Sequence, residues 1–510
     1  MSKYTDEQLA VVNSTESKIL CIAGAGTGKT HTLVGRLIRM ADDGIDMKSV
    51  LVLTFTRNAA AEMAMRFRSE SASDVCPDFY TFHAFCYRLI SSDPSIYKYL
   101  GYTDRPIVPD DEVVKDLTNQ VISQLGLKMP KKYFQPDAVR SADQQFQYEI
   151  FTKLFKKRLR SENYISYDEL LAKITALFVE DNPLIYQYKD RYKHILVDEF
   201  QDTDPKQWEF VKSFTDANKF VCGDALQSIY SFRGADSSII KQLSKDDTWA
   251  THKLTHNFRS TQEIVKYANK HADHAESEYR IDMVSNRCGV PVVELKNRKI
   301  NELLSDISSD HSYALLARTN REVDKICDML SRNDIPYVRS NKNSVEVKLI
   351  KSAQDDTYKL CYLSSLLTES EYQTYLVYSI RSNVDLSELF PENKSVSDAS
   401  SKITKLADLI KDEPEGYIGE IFEVLNHPEV DVTEISDIDD VIEYFSTAHT
   451  SEEENIYVGT IHSSKGLEYD NVIVTGVNGN SFPLSGEENL NLFYVAATRA
   501  KNTLTILYEA

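Results

Sequence analysis

Eight consecutive residues, Ala23-Gly24-Ala25-Gly26-Thr27-Gly28-Lys29-Thr30, bring three glycines, a lysine and a hydroxyl together. Glycines let backbone N–H groups turn inward around an anion, a lysine reaches phosphate oxygens, and a threonine hydroxyl can hold Mg²⁺. The chemistry on offer is triphosphate binding at a helix N-terminus. The strict pattern starts with glycine, where this chain has Ala23, and taken alone an ordinary glycine turn competes with this reading. A second reactive pair, Asp198-Glu199, closes the apolar run 194–197. Beside a bound triphosphate such a pair divides the work: the aspartate holds Mg²⁺ and the glutamate polarises the attacking water. Gln227 follows a third run, 219–224, placed to touch a γ-phosphate or its water.

These groups need elements to hold them. Lys18-Ile19-Leu20-Cys21-Ile22 reads as a buried strand before the glycine loop, and Leu33, Val34, Leu37, Ile38 and Ala41 mark one apolar face of a helix after it. Strand, glycine loop and helix are the context a phosphate loop requires. Further strands are predicted at 49–56, 78–83, 194–199 and 219–224, each apolar and each ending in polar or aromatic residues. Strands return at 291–295, 313–317, 456–460, 472–474 and 503–507, which implies a second α/β domain. From 91 to 190, and again from about 336 to 450, the pattern is helical and charged.

Other residues carry two readings each. Phe55, at a strand's C-terminal tip, sits where open parallel sheets bind ligands, although Phe is more often core. Tyr230, Phe232 and Arg233 make a base-stacking platform or a piece of core. The basic segment Lys153, Lys156, Lys157, Arg158 and Arg160 reads equally as a solvated helix face and as a phosphate-contacting patch. Gln8, just after the helix N-cap Thr5, reads as a surface residue. The acidic run from Asp431 to Glu454 reads as a solvated linker or domain face.

The whole chain bounds these readings. A length of 510 residues implies several domains. A net charge of −20 lowers the expectation of nucleic-acid binding only moderately, because phosphate contacts depend on local basic grooves. Seven cysteines without a C-x-x-C pair suggest neither a zinc site nor a disulfide framework, and fit a reduced, cytoplasmic setting. No apolar leader or membrane span is read from the sequence.

The ordered set of segments resembles the superfamily 1 DNA helicases of the UvrD/Rep/PcrA type. Gln8, AGAGTGKT, LTFTRNAAAEM, TFHAF, ILVDEFQDTD, CGDALQSIYSFRGAD, LTHNFRST, ALLARTN, VGTIHSSKGLEYD and LFYVAATRAK occur in the family order. The resemblance implies an α/β fold of two RecA-like parallel-sheet domains, each with a mainly helical insertion. The first would be 1–90 with 191–250, carrying the insertion 91–190, and the second 251–335 with 451–510, carrying a reduced insertion 336–450.

It also implies site residues. Gln8 would contact adenine, Ala23 to Thr30 the phosphates, Thr30 and Asp198 the Mg²⁺, and Glu468 the ribose. Glu199 would be the catalytic base and Gln227 the γ-phosphate link. Arg259 and Arg499, in the second domain, would reach across a cleft to the γ-phosphate. Phe55, His83, Tyr230, Phe232, Arg233, Thr460 and His462 fall on the family's single-strand contacts.

Departures from the family pattern lie at the same places. His31 replaces the usual nucleotide-side Arg, Phe258 replaces a Tyr and Phe232 a Trp. Arg57-Asn58 stands for Asn-Lys, and Leu490-Asn491 for an Arg pair. The implied activity is ATP-dependent translocation on single-stranded DNA with duplex unwinding, 3′ to 5′, using ATP and Mg²⁺. The alternative expectation is a nucleotide-gated ATPase subunit serving a partner nuclease or a repair or replication assembly.

Overall fold

In the strand Lys18–Ala23, Leu20 and Ile22 join one apolar cluster and Ile19, Cys21 and Ala23 join another. A strand buried on both faces is one that helices cover on both sides, which is the signature of a parallel sheet. The computed structural model of this chain describes residues 4–73, 75–109, 111–127, 134, 141–273, 275, 279–296, 300, 303, 311–333, 335–339, 455–479 and 482–508. Its first sheet contains β1 (Lys18–Ala23), β2 (Val50–Thr54), β3 (Asp78–Thr81), β4 (His194–Val197), β5 (Asn218–Gly223) and β6 (Ala250–Leu254). The strand order is β3-β2-β4-β5-β1-β6, with every neighbouring pair parallel.

The described helices around this sheet are α1 (Asp6–Val12), α2 (Lys29–Asp42), α3 (Arg57–Glu70), α4 (Phe82–Ser92), α5 (Pro94–Tyr99), α6 (Asp111–Leu125), α7 (Ala142–Ser161), α8 (Tyr167–Val179), α9 (Tyr186–Arg191), α10 (Pro205–Lys212), α11 (Ser238–Leu243) and α12 (Gln262–His271). Leu33, Val34, Leu37, Met63 and Phe67 of α2 and α3 pack on Ile19, Cys21, Val50 and Val52. Phe85, Leu170, Ile174 and Phe210 of α4, α8 and α10 pack on Leu20, Leu51, Leu53 and Ile195. Burying each such side chain contributes about 1.5–3 kcal/mol. Because all six strands run the same way, the segments after β1, β2, β4 and β5 leave from one edge, where open α/β sheets place their sites.

The described residues of 91–190 are mainly helical, and α6 and α7 share a small apolar core of Val121, Phe134 and Phe151. Within the basic segment of α7, Arg160 donates to the Leu100 carbonyl at 2.6 Å, and Arg158 meets Gln120 at 3.3 Å and Glu162 at 3.6 Å. Those contacts tie the two arginines to neighbouring elements, and all five basic side chains, Lys153, Lys156, Lys157, Arg158 and Arg160, are exposed.

A second sheet has the order β7-β12-β11-β8-β10-β9, again parallel throughout. Its strands are β7 (Val293–Lys296), β8 (Tyr313–Ala317), β9 (Val338–Arg339), β10 (Ile456–Thr460), β11 (Tyr469–Val477) and β12 (Ala500–Tyr508). Helix α13 (Asn320–Arg332), capped by Thr319 and Glu322, covers one face through Val323, Ile326, Cys327 and Leu330.

The chain divides into two compact units, Met1–Pro291 with Leu484–Thr498, and Val292–Pro483 with Arg499–Ala510. This differs from the boundary expected near 250. Strand β6 pairs with β1, and beyond it Asn257 N–H donates to the Val284 carbonyl at 2.7 Å, so the segment up to 291 packs with the first unit. Helix α14 (Glu487–Ala497) joins the same unit, with Tyr494 in its core. The helical insertion expected over 336–450 lies outside the described residues from 340 onward, as does the acidic run 431–454.

Candidate nucleotide and nucleic-acid site

The loop between β1 and α2 is shaped by backbone geometry. Gly26 and Gly28 take φ of +69° and +83°, a region that costs other L residues about 1–2 kcal/mol, and Gly28 is the N-cap of α2. The Thr27 hydroxyl donates to the Gly24 carbonyl at 2.8 Å. Lys29 Nζ folds back to 3.5 Å from the Ala23 carbonyl oxygen. The unpaired N–H groups of the first turn of α2 then suit an anion.

Gln8 is buried rather than on the surface. Its Nε2 donates to the Thr27 carbonyl at 3.2 Å, and its Oε1 accepts from the Thr5 N–H at 3.0 Å, closing the capping box of α1. The loop and the N-terminal helix are therefore fixed to each other.

From the end of β4, Asp198 reaches the same loop. Its Oδ2 accepts from the Thr30 hydroxyl at 3.5 Å and its Oδ1 from the Glu199 N–H at 2.9 Å. Burial pushes the Asp198 carboxyl up to about 7, the Glu199 carboxylate adds to the rise, and the Glu199 N–H, Lys29 and Thr30 oppose it. Two hard oxygen donors side by side suit a small divalent cation. No group of three or more His, Cys, Asp or Glu side chains among the described residues is arranged to hold a metal, so such a cation would draw its other ligands from phosphate and water.

Glu199 itself has φ +48°, a left-handed conformation that a non-glycine residue keeps only when its surroundings enforce it. Gln201 Nε2 holds the Glu199 Oε2 at 2.6 Å and Asp202 Oδ2 at 3.3 Å, while its Oε1 accepts from the Asp224 N–H at 3.0 Å.

Gln227 is tied into this network through Asp224, whose Oδ2 accepts from Gln227 Nε2 at 2.8 Å and from the Tyr494 hydroxyl at 3.4 Å. Burial raises the Asp224 carboxyl as well, against the attraction of Lys29. Asn491 Nδ2 donates to the Ala225 carbonyl at 3.5 Å and the Ser228 carbonyl at 3.3 Å, on either side of Gln227. Asp224, Gln201, Tyr494 and Asn491 were not among the expected site residues. For Asn491 a signal did exist, because it replaces an arginine in the family pattern.

Residues 257–259 bind the other flank of the loop. Asn257 Nδ2 donates to the Ala25 carbonyl at 2.6 Å, and the Phe258 N–H to the Gly26 carbonyl at 2.9 Å. A Cβ on Gly26 would lie 2.8 Å from Arg259 Cβ, and Arg259 Nη1 donates to the Thr498 carbonyl at 3.2 Å. Arg259 thus lies in the compact unit that carries the loop, whereas the resemblance placed it with the second domain. Of the expected residues in the second unit, Glu468 pairs with Lys501 at 2.9 Å, and buried Arg499 donates to the Leu467 carbonyl at 3.2 Å. Thr460 ends β10, where its Oγ1 accepts from the Ser463 N–H at 3.2 Å, and His462 follows with its Nε2 buried.

At the same edge of the first sheet, the Phe55 and Tyr230 rings stack with centroids 5.1 Å apart and planes 15° apart. Phe232 meets Tyr230 at 6.0 Å, and Arg233 lies 5.2 Å from the Tyr230 centroid and 5.7 Å from that of Phe232. Phe232 is 53% exposed, so the core reading does not hold for it. His83, in the first turn of α4, meets Tyr167 edge-on at 5.2 Å. Burial lowers its pKa, with Asp168 and Asp204 opposing.

A glycine loop facing a strand-end Asp-Glu pair defines a phosphate-loop nucleotide hydrolase. The chain belongs, more closely, to the UvrD-like DNA helicases: residues 4–248 match the UvrD/REP helicase N-terminal domain and residues 347–510 the UvrD-like helicase C-terminal domain. It is similar to the "Probable DNA helicase II homolog" of Mycoplasma pneumoniae, at 25% identity over 99% of this chain and 84% of the relative. The ATP-dependent DNA helicase PcrA of Staphylococcus epidermidis is 25% identical over 99% of this chain and 83% of its own length. PcrA of Leuconostoc citreum is 29% identical over 65% of this chain and 49% of its own length. The alignment with the Mycoplasma pneumoniae protein spans 607 positions, more than the 510 residues here, so that relative carries residues within the aligned span that this chain lacks.

Proposed function

We propose that this chain is an ATP- and Mg²⁺-dependent motor that moves 3′ to 5′ along single-stranded DNA and separates the duplex ahead of it. The observation that carries the reading is the approach of the Asp198 carboxylate to Thr30, with Glu199 and Gln227 joined to it through Gln201 and Asp224. Family membership supports the coupling of hydrolysis to DNA, and the relatives named as ATP-dependent DNA helicases support ATP as the nucleotide.

In this reading the backbone of Ala23, Gly24, Ala25, Gly26, Thr27 and Gly28 wraps the phosphates and Lys29 neutralises the β/γ oxygens. Thr30 and Asp198 would hold Mg²⁺, which when bound would supply further charge neutralisation. Glu199 takes a proton from the attacking water, Gln227 orients that water, and Arg259 and Arg499 serve the γ-phosphate. Gln8, His31 and Phe258 serve the adenine and Glu468 the ribose. Phe55, Tyr230, Phe232 and Arg233 offer rings and a cation to a single strand, with His83, Thr460 and His462 as further contacts.

The test is an ATPase and unwinding assay on 3′-tailed, 5′-tailed and blunt duplexes at one stated salt concentration. Single strands are expected to accelerate hydrolysis, 3′ tails to support unwinding, and Glu199→Gln to lower hydrolysis about 10²–10⁴-fold. Preference for 5′ tails would overturn the polarity. Hydrolysis without strand separation would select the gated-subunit alternative, and hydrolysis indifferent to DNA would sink both.

A further inference from the structure

Tyr4 lies outside every segment that marked the nucleotide site. Its ring stacks on His31, with centroids 4.7 Å apart and planes inclined by 24°. Helix α2 makes the seat for that ring. Positions 31 and 35 are one turn apart and lie on the same face of a helix. His31 supplies a flat ring and Gly35 a notch. A Cβ on residue 35 would lie 2.6 Å from the Tyr4 hydroxyl oxygen and 2.7 Å from its Cζ, so the phenol fills the space that any other side chain there would take.

The chain on either side ties this stack to the loop. Thr5 caps α1 together with Gln8, and Gln8 holds the Thr27 carbonyl. A Cβ on Gly28 would lie 2.9 Å from Gln8 Nε2 and 3.8 Å from His31 Cβ. His31 and Gln8 therefore flank the Gly28 end of the loop. At the Gly26 end stands Phe258, held by its N–H on the Gly26 carbonyl and 49% exposed. A nucleotide whose phosphates occupy the loop must lay its base outside it, and the rings at the two ends are His31 and Phe258.

We propose that Tyr4 is the positioning residue of the nucleobase site: it covers one face of the His31 imidazole and fixes that ring so that the opposite face receives the base. The proposal rests on reading Ala23–Thr30 as a triphosphate loop. A histidine is shorter than the arginine it replaces in the family pattern and makes no bidentate contact. A flat ring held in one orientation by a second ring is a different solution to the same task, and Gly35 is what makes room for it.

The experiment measures binding of a fluorescent ADP analogue by the full chain, and binding of inorganic tripolyphosphate, which has no base, by competition. Tyr4→Ala is expected to weaken the ADP analogue roughly three- to tenfold, the size of one aromatic stack, and to leave tripolyphosphate unchanged. Tyr4→Phe should bind both like the wild type. Gly35→Ala should reproduce Tyr4→Ala by displacing the phenol, and because alanine favours helix it should not weaken α2. With His31→Ala in place, Tyr4→Ala should add nothing. Unchanged ADP affinity in Tyr4→Ala would overturn the proposal, and so would equal loss of both ligands, which would show that the phenol serves the loop and not the base. Failure of the wild type to bind either ligand would instead sink the triphosphate-loop reading.

Discussion

The first sheet presents two kinds of surface at one edge. Around the phosphate loop, Asp198, Gln201, Asp224 and Gln227 are all less than 5% exposed, and their side chains are joined by hydrogen bonds to neighbouring side chains and, for Gln201, to the Asp224 backbone N–H. Around Phe55, Tyr230, Phe232 and Arg233 the contacts are ring on ring and cation on ring, and Phe232 is open to solvent. A buried polar network is stable only when its members are satisfied, so it specifies one arrangement. Ring contacts contribute about 0.5–1.5 kcal/mol each and are exchangeable for a base. The difference suits a rigid site for chemistry beside an adaptable site for a strand.

The strongest way to break that comparison is to loosen the rigid side without touching a phosphate-facing group. Tyr494→Phe removes one donor from the buried Asp224 carboxylate, and Asn491→Leu removes the amide that holds the two carbonyls beside Gln227. A lost buried partner costs about 1–3 kcal/mol, so kcat for ATP hydrolysis should fall about ten- to a hundredfold with KM for ATP nearly constant. Thermal melts would establish that the variants are folded. Wild-type kcat in both variants would mean that α14 has no part in placing Gln227.

The two sides also differ in how far the sequence exposed them. The glycine loop, the Asp198-Glu199 pair and Gln227 can be picked out of the sequence because each is local, a few residues of fixed spacing after an apolar strand. The strands, and the helices among the described residues of 91–190, follow the periodicity for the same reason, whereas the parallel sheets were implied by the family resemblance. Asn257 on Ala25 and Tyr494 on Asp224 were not legible, because they join positions more than 200 residues apart, and neither partner is unusual in its own neighbourhood. The compact units divide elsewhere than the expected boundary for a related reason. The strand at 250–254 looks like the start of a new set of strands, and only its pairing with β1 assigns it to the old one.

On the adaptable side, Phe232→Ala should weaken single-strand affinity about tenfold, within the range of 1–3 kcal/mol for one base stack, and Phe232→Trp should strengthen it. Phe55→Ala should cost less. In the free protein Phe55 already stacks on Tyr230, so a base gains only the difference between the new stack and the one it displaces. Equilibrium binding of a labelled oligonucleotide at fixed salt would rank the three variants. An effect of Phe55→Ala larger than that of Phe232→Ala would show that the stacked pair is not exchanged for a base.

The smallest expected effect concerns His83, a half-buried polar group packed against the Tyr167 ring. Burial lowers its pKa below the ordinary 6.5, so the folded state binds its proton less readily than the unfolded chain. The sign follows from proton counting. Well above pH 6.5 neither state is appreciably protonated and the contribution to stability is constant. As pH falls through 6.5 the unfolded state takes up a proton first, and stability declines until the folded pKa is passed. The slope is bounded by one proton, about 1.4 kcal/mol per pH unit. His83→Phe preserves a ring against Tyr167 and should flatten this part of the profile in denaturant titrations between pH 5 and 8. An unchanged slope would mean that another group carries the acid sensitivity. Because His83 is uncharged at neutral pH, the same variant should leave the salt dependence of DNA binding at pH 7.5 unaltered, and the cationic part of the strand site would then rest on groups such as Arg233.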